Sequence, residues 1–386
     1  MIIINNKKPL EDLVVLDLSR VLAGPFCTML LKDLGAEIIK VERPETGDDS
    51  RHFGPFIEGR SAYFISLNWG KKSITLNLKD EEDRNTFLGL VKKVDILVEN
   101  FRPTTMEKLN LDYNTLKEYN EKLIYAAISG FGHSGPYSDK AAYDMIVQAA
   151  GGIMSITGEP DRPPVRVGAS IGDIVAALFA TVGILAAVHE RKKTGKGKKV
   201  DIAMLDSQIA ILENAIARYT ASGEAPGPLG NRHPSITPFQ AFKAKDEWFI
   251  IAVGNDNIWA KFCEAIGRED LIDDPRFKTN DKRTENREEL VEIINDFVID
   301  KKADDVIELL DNHGVPAGPI NDVEDLFNHP QVEARNMLVD VVDPDDGRFT
   351  IAGNPIKLSD TQDETERERA PKLGEHTEEI IKKYLG

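Results

Sequence analysis

Two apolar runs, LVVLDL (13–18) and AEIIKVE (36–42), enclose a stretch at helical spacing (24–34) that Gly35 is placed to end. A strand, a helix and a strand within about thirty residues make a β-α-β unit. A helical crossover requires its two strands to run parallel, so the chain is committed to an α/β fold with a parallel sheet. Further strands are expected at SITLNL (73–78), VDILVEN (94–100) and LIYAAIS (123–129), with a helix at DEEDRNTFLGLVKK between the first two, and the alternation continues to about residue 205. The first strand–helix turn reads SRVLAGP and lacks the glycine fingerprint of dinucleotide-binding domains. GFGHSG (130–135) matches that fingerprint, but Pro136 follows at once, so a tight loop is expected there.

Residues 166–188, RVGASIGDIVAALFATVGILAAV, place one carboxylate where a glycine turn meets a long apolar helix. The run 174–188 is hydrophobic nearly all round, which predicts a helix buried on most faces. Asp173 is then its N-cap or a first-turn residue. There it meets orphan backbone N–H groups and the positive end of the helix dipole, so it is expected to be ionised at neutral pH. That suits a nucleophile or a general base, and it equally suits a plain helix cap. The same stretch contains Gly168-Ala169-Ser170-Ile171-Gly172, a match to the serine-hydrolase elbow G-x-S-x-G. An elbow needs a strand just upstream, and EPDRPPVRV, with Pro160, Pro163 and Pro164, is a poor one.

At 386 residues the chain suits a large domain plus a smaller one. The Gly- and Pro-rich ASGEAPGPLGNRHPSITP reads as the linker between them, which puts a large α/β domain at 1–220, completed by 325–386, and a small domain at 221–324. A net charge of −17 argues against a broad basic face for nucleic acid or anionic lipid, so an anionic ligand needs a local cluster of cations. Cys27 and Cys263 form neither a disulfide framework nor a zinc signature, the seven histidines show no metal-binding spacing, and MIIINNKKPLEDL lacks the pattern of a secretory signal. The longest apolar run, about 15 residues, is short for a bilayer. The expectation is a cytoplasmic protein with no metal site and no membrane partner.

Several blocks together resemble the class III CoA-transferases: VLDLSRVLAGPFCTMLLKDLGAEIIKVERPETGD, SLNWGKKSITLNLK, VDILVENFRP, ISGFGHSGPYSDKAAYDMIVQAAGGIMSITGEP and VGASIGDIVAALFA, with NHPQVEARNMLVDV near the C-terminus. That family includes formyl-CoA and carnitine CoA-transferases and shares its fold with alpha-methylacyl-CoA racemases. The resemblance implies a large Rossmann-like domain and a small α+β domain in each chain, with two chains interlocked as a ring-like homodimer. It implies that CoA passes from an acyl-CoA thioester to a small free carboxylic acid, with no permanently bound cofactor. Asp173 would be the nucleophile, forming an aspartyl anhydride.

By position, the resemblance places Arg43, Lys79, Arg102 and Lys108 around the nucleotide and phosphates of CoA, with Leu76, Asn100 and Phe101 on the adenine side. Leu22, Ala23, Ala141, Tyr143 and Asp144 would line the pantetheine channel, and Gly254 and Asn255 an active-site loop. Lys71 and Lys72 are further candidates for the anionic patch. Two departures stand out. Racemases of this fold carry Gly-His-Asp where this chain has Ala142-Tyr143-Asp144, which argues against proton transfer by a histidine; a CoA-ester racemase or isomerase remains the alternative, and a serine thioesterase a more distant one. Formyl-CoA transferases carry a glutamine at the position of Leu22 and a run of glycines at 254–256, which argues against formyl or oxalate specificity; Leu22 and Met154 suggest an apolar acid.

Overall fold

The computed structural model describes residues 7–344 and 347–386; the first half of the segment read above for a secretory signal lies outside them. The chain divides into two compact units, one of residues 1–154, 166–224 and 330–386, the other of residues 155–165 and 225–329.

The first unit carries β1 (Val14–Asp17), β2 (Glu37–Glu42), a short ribbon of β3 (Phe56–Ile57) and β4 (Arg60–Ser61), then β5 (Lys72–Thr75), β6 (Ile96–Glu99), β7 (Ile124–Ser129) and β8 (Lys199–Ala203). Its helices are α1 (Ala23–Asp33), α2 (Ala62–Asn68), α3 (Glu81–Val91), α4 (Thr104–Lys108), α5 (Tyr113–Tyr119), α6 (Asp144–Ala150), α7 (Ile171–Thr194), α8 (Met204–Ala210) and α9 (Ala215–Ser222). Six strands pair in parallel in the order β5-β2-β1-β6-β7-β8. This is the doubly wound arrangement, whose direction of winding reverses between β1 and β6, and in such sheets ligands bind beyond the carboxyl ends of the strands at that switch point.

Residues alternate between two cores along each strand. Val15, Ile38, Ile96, Val98 and Ile124 face one core with α1 and α7; Leu16, Ile39, Leu97 and Tyr125 face the other with α3. Burial on both faces explains why these strands read as near-continuous apolar runs. The second unit has its own core around Trp259, Phe262 and Phe277, under an antiparallel sheet of β9 (Phe239–Lys243), β10 (Trp248–Ala252) and β11 (Ala317–Pro319). Its helices are α10 (Asp256–Ala265), α11 (Asn280–Glu285), α12 (Arg287–Val298) and α13 (Ala303–Asn312). The C-terminal part adds α14 (Pro330–Ala334), a small sheet of β12 (Leu338–Asp343), β13 (Gly347–Ala352) and β14 (Glu366–Glu368), and α15 (Thr377–Leu385), whose Ile380 enters the core on the α3 side.

Two expectations change. The helix at Asp173 spans Ile171–Thr194, 24 residues, and is long and apolar enough to cross a membrane; it instead packs on the sheet and on α1, and ends in Arg191, Lys192 and Lys193. It is not buried on most faces: Leu178, Phe179 and Val182 lie open, Val182 at 64%. Beyond β8 the chain forms two helices, α8 and α9, with Glu213 between them at φ 54°.

Candidate active site

The carboxyl end of β1 delivers the chain into a turn, residues 19–22, and then into α1. Gly24 in the first turn of α1 is required by sterics, because a Cβ there would stand 2.1 Å from the Ser19 Cβ. Beside this turn begins α7. Ser170 holds its N-cap position without a side-chain cap, and Asp173 lies in the first turn. The Ala23 N–H at the start of α1 acts on the Asp173 carboxylate and favours its charged form. Two helix N-termini thus converge on one carboxylate beside the switch point.

Asp173 is half-buried, and its electrostatics correct the expectation of full ionisation. Burial pushes the carboxyl up, the negative charge of Asp144 pushes it further, and the Ala23 N–H offsets only part, leaving it at about 7. Asp144, in the first turn of α6, is close because its own carboxylate is tied to the start of α7. Its Oδ1 accepts the Gly172 N–H at 2.8 Å and its Oδ2 accepts from Gln148 Nε2 at 2.9 Å. The Gln148 Oε1 accepts the Val167 N–H at 2.9 Å, so one buried amide ties α6 to the segment entering α7. Only glycine fits at 172, where a Cβ would meet Val147 Cγ2 at 2.7 Å and Asp144 Oδ1 at 2.9 Å. Arg166 approaches Asp144 Oδ2 at 3.7 Å.

Tyr63 on α2 belongs to this site and was not singled out from the sequence. Burial and then the charges of Asp173, Asp48 and Asp144 raise its hydroxyl to about 12, so it is a neutral donor near those carboxylates at physiological pH. No signal in a lone YF pair on a helix points there.

The other expected residues fall at the carboxyl edge of the parallel sheet. Arg43 follows β2, Leu76 and Lys79 follow β5, and Asn100, Phe101 and Arg102 follow β6, with Lys108 on α4. Lys79, Arg102 and Lys108 are exposed and form no ion pair among the described residues, whereas Arg43 pairs with Asp49 at 3.3 Å. Asn100 bridges the switch point: its Oδ1 accepts the Arg20 N–H at 2.9 Å and its Nδ2 donates to the Arg20 carbonyl at 2.8 Å. The side chain of Leu76 is buried in the core on the α3 side. Ala141 and Tyr143 are exposed, Tyr143 directly preceding α6. Gly254 and Asn255 belong to the second unit, where the Asn255 side chain caps α10 by accepting the Ile258 N–H at 3.0 Å.

Lys71 is no part of an anionic patch. It is fully buried, and its Nζ donates to Asp17 Oδ2 at 3.1 Å, Thr28 Oγ1 at 2.8 Å and Asn68 Oδ1 at 3.0 Å. The signal for this was present in the sequence: Asp17, Lys40 and Glu42 are charges inside apolar strands, where only an internal partner makes them tolerable. Upstream of Gly168-Ala169-Ser170-Ile171-Gly172 there is no strand, so the elbow geometry of a serine hydrolase is not formed.

The family described as CoA-transferase family III matches residues 10–377. An acetyl-CoA:oxalate CoA-transferase of Acetobacter aceti is 44% identical over 98% of this chain and 96% of its own length. A succinyl-CoA:glutarate CoA-transferase of Homo sapiens is 39% identical over 99% of this chain and 87% of its own length. Among solved structures, a CAIB/BAIF family protein from Brucella suis superposes with a TM-score of 0.85 at 42% identity, covering 98% of this chain and 99% of that one.

Proposed function

The chain belongs to CoA-transferase family III and is an acyl-CoA:carboxylate CoA-transferase, and from that premise we propose that Asp173 is the nucleophile through which CoA changes partner. The observation that carries this is a half-buried carboxylate at a helix N-terminus, facing the Ala23 N–H, beside the switch point of a doubly wound sheet. Asp173 attacks the thioester carbonyl, and the C–S bond breaks to give a mixed anhydride and CoA thiolate. The thiolate attacks the aspartyl carbonyl and expels the donor acid, leaving an aspartyl-CoA thioester. The acceptor carboxylate attacks that thioester to form a second anhydride and release thiolate. Attack of the thiolate on the acceptor carbonyl yields the new acyl-CoA and frees Asp173. Backbone N–H groups at the helix starts are the donors available to the oxyanions.

Lys79, Arg102 and Lys108, exposed and uncompensated, are the cations we assign to the phosphates of CoA, with Arg43 shared between phosphate and Asp49. For the acids we propose short dicarboxylates. The two relatives above are named for oxalate and glutarate, both dicarboxylic acids, so the expectation of an apolar acid built on Leu22 and Met154 finds no support. The test is a panel of acyl-CoA esters with a pool of mono- and dicarboxylic acids in heavy water, read by mass spectrometry. New esters of dicarboxylates support the reading; deuterium entering the original ester without a new ester is the racemase outcome and overturns it.

The pH profile follows from the site. Only the anionic form of Asp173 attacks, and its carboxyl is raised to about 7. The kcat/KM for acyl-CoA is therefore expected to fall with unit slope as pH drops below about 7 and to level off above it. A midpoint near the ordinary carboxylate value would mean that burial does not act on Asp173 in the working enzyme.

We further propose that the working form is a homodimer, interlocked as the family resemblance implies, in the cytoplasm, where Cys27 and Cys263 stay reduced and buried. The support for a dimer is the open apolar side of α7, Leu178, Phe179 and Val182, together with Met145 and Ile146 on adjacent α6. Val182→Glu is expected to shift the protein toward monomer in light scattering coupled to size exclusion, with the monomer's helix content retained. An unchanged mass would place the interface elsewhere.

A further inference from the structure

We propose that Asp48 and Lys40 clamp the turn between β1 and α1 and so aim the Ala23 N–H at Asp173, which makes both of them positioning residues for CoA transfer. The inference rests on the assignment of Asp173 as nucleophile and adds a reason why the turn before α1 holds the conformation that brings the Ala23 N–H toward it. Val21 is the starting observation. Its φ is 67°, in the left-handed region, and a β-branched residue there is strained. Strain of this kind persists only where the surroundings over-determine the backbone.

Those surroundings are present on three consecutive residues. Lys40 Nζ donates to the Ser19 carbonyl at 2.7 Å. Asn100 holds both the N–H and the carbonyl of Arg20. Asp48 Oδ1 accepts the Val21 N–H at 3.0 Å. The two ends of this clamp are joined, because Lys40 Nζ and Asp48 Oδ2 form an ion pair at 2.8 Å with both side chains buried. The same Asp48 Oδ1 also accepts the Ser50 N–H at 2.9 Å and the Ser50 hydroxyl at 2.8 Å, and the Asp48 N–H donates to Glu42 Oε2 at 2.9 Å. A chain of side-chain contacts therefore does what a sheet or helix does elsewhere. Released from it, Val21 would relax to negative φ, and rotation there turns the peptide planes that follow, including the one that presents the Ala23 N–H.

The test is a cycle on the full-length protein with Asp48→Ala, Val21→Gly and the pair together. Glycine enters the left-handed region without penalty, so it removes the drive to relax when the clamp is gone. Each variant is read for kcat, for KM, for its thermal transition and for the pH midpoint at which a carbodiimide, which reacts with the protonated carboxyl, labels Asp173. Asp48→Ala is expected to lower kcat by about 10- to 100-fold, with KM for acyl-CoA within about twofold, as for loss of one hydrogen bond to a charged group. Because that bond favours the anion, its loss should move the labelling midpoint up by about one pH unit. The paired variant should recover most of the lost kcat and return the midpoint toward the starting value.

Folded Asp48→Ala with unchanged kcat and midpoint overturns the clamp, and so does a paired variant no better than Asp48→Ala. If Asp48→Ala does not fold, Lys40→Met, which frees the Ser19 carbonyl from the other side, takes its place in the same cycle. The labelling midpoint does not depend on turnover. Should Asp173→Ala still transfer CoA, the nucleophile assignment falls while the midpoint still decides whether the clamp aims the Ala23 N–H.

Discussion

Asp173→Ala is expected to lower CoA transfer by roughly 10³-fold or more, the scale on which removing a covalent nucleophile acts, while Ser170→Ala stays within a small factor of the parent protein. The two residues lie three positions apart in one segment, so general damage to the helix start would affect both and cannot produce this contrast. Stability supplies a second, independent readout. The folded-state carboxyl is raised to about 7 from 3.8, so the fold favours the protonated form. Its contribution is favourable at low pH and is lost as pH rises through about 7. Asp173→Asn keeps an acceptor for the Ala23 N–H and removes the charge. It should therefore melt above the parent at pH 8, with the difference shrinking toward pH 4. Transfer retained by Asp173→Ala, or lost in Ser170→Ala, would remove the aspartyl anhydride and bring the serine back.

The largest expected effect on stability is Asp17→Ala, at roughly 3–5 kcal/mol, the cost of breaking a buried ion pair from one side. Asp17 is fully buried at the end of β1. It accepts the Ser19 N–H at 2.9 Å, the Thr28 hydroxyl at 2.6 Å, the Ser19 hydroxyl, and Lys71 Nζ at 3.1 Å. Burial alone would raise its carboxyl, and Lys71, Lys40 and the hydroxyls together outweigh that and hold it below the ordinary range. Lys71 is displaced the other way: burial lowers its ammonium, Asp17 restores only part, and it stands at about 8. Without Asp17 the ammonium is left with neutral acceptors and sheds its proton at lower pH still. A lysine depressed in the fold destabilises it while charged and ceases to do so as pH rises toward the unfolded value. The deficit of Asp17→Ala, measured by denaturant unfolding, should therefore narrow as pH rises toward about 8, where Lys71 is already neutral in the folded variant and still charged in the folded parent, and change little above it. A loss under about 1 kcal/mol at pH 7 would mean that water reaches Lys71 when its partner is removed.

Much of the fold was legible because both faces of the central strands are covered. LVVLDL, AEIIKVE and LIYAAIS are apolar runs bounded by turn residues, and each became a strand within a residue or two. Asp173 was legible for a local reason: glycines, a carboxylate and an apolar run in that order specify a helix start whatever surrounds it. Its shift to about 7 was not, since it comes first from burial and then from Asp144, which lies far away in sequence and reaches it only because α6 abuts the start of α7. Lys71 and Lys79 sit in one short block, and composition treats them alike; one is sealed behind α1 and the other is in solvent. The open side of α7 was hidden for a related reason, because an apolar stripe reads the same whether its own core covers it or leaves it open.

By itself, then, the sequence determined the strand–helix alternation, the parallel sheet and the helix that carries Asp173, all of which follow from propensities and periodicities acting over a few turns of chain. The tertiary structure alone decided the strand order, which puts the switch point between β1 and β6, and with it which charges are buried together. It also decided that Val21 is held at φ 67° and that Asp173 feels both the charge of Asp144 and the Ala23 N–H. Those outcomes depend on distance and dielectric between residues remote in sequence, and such couplings exist only once the chain has closed around them.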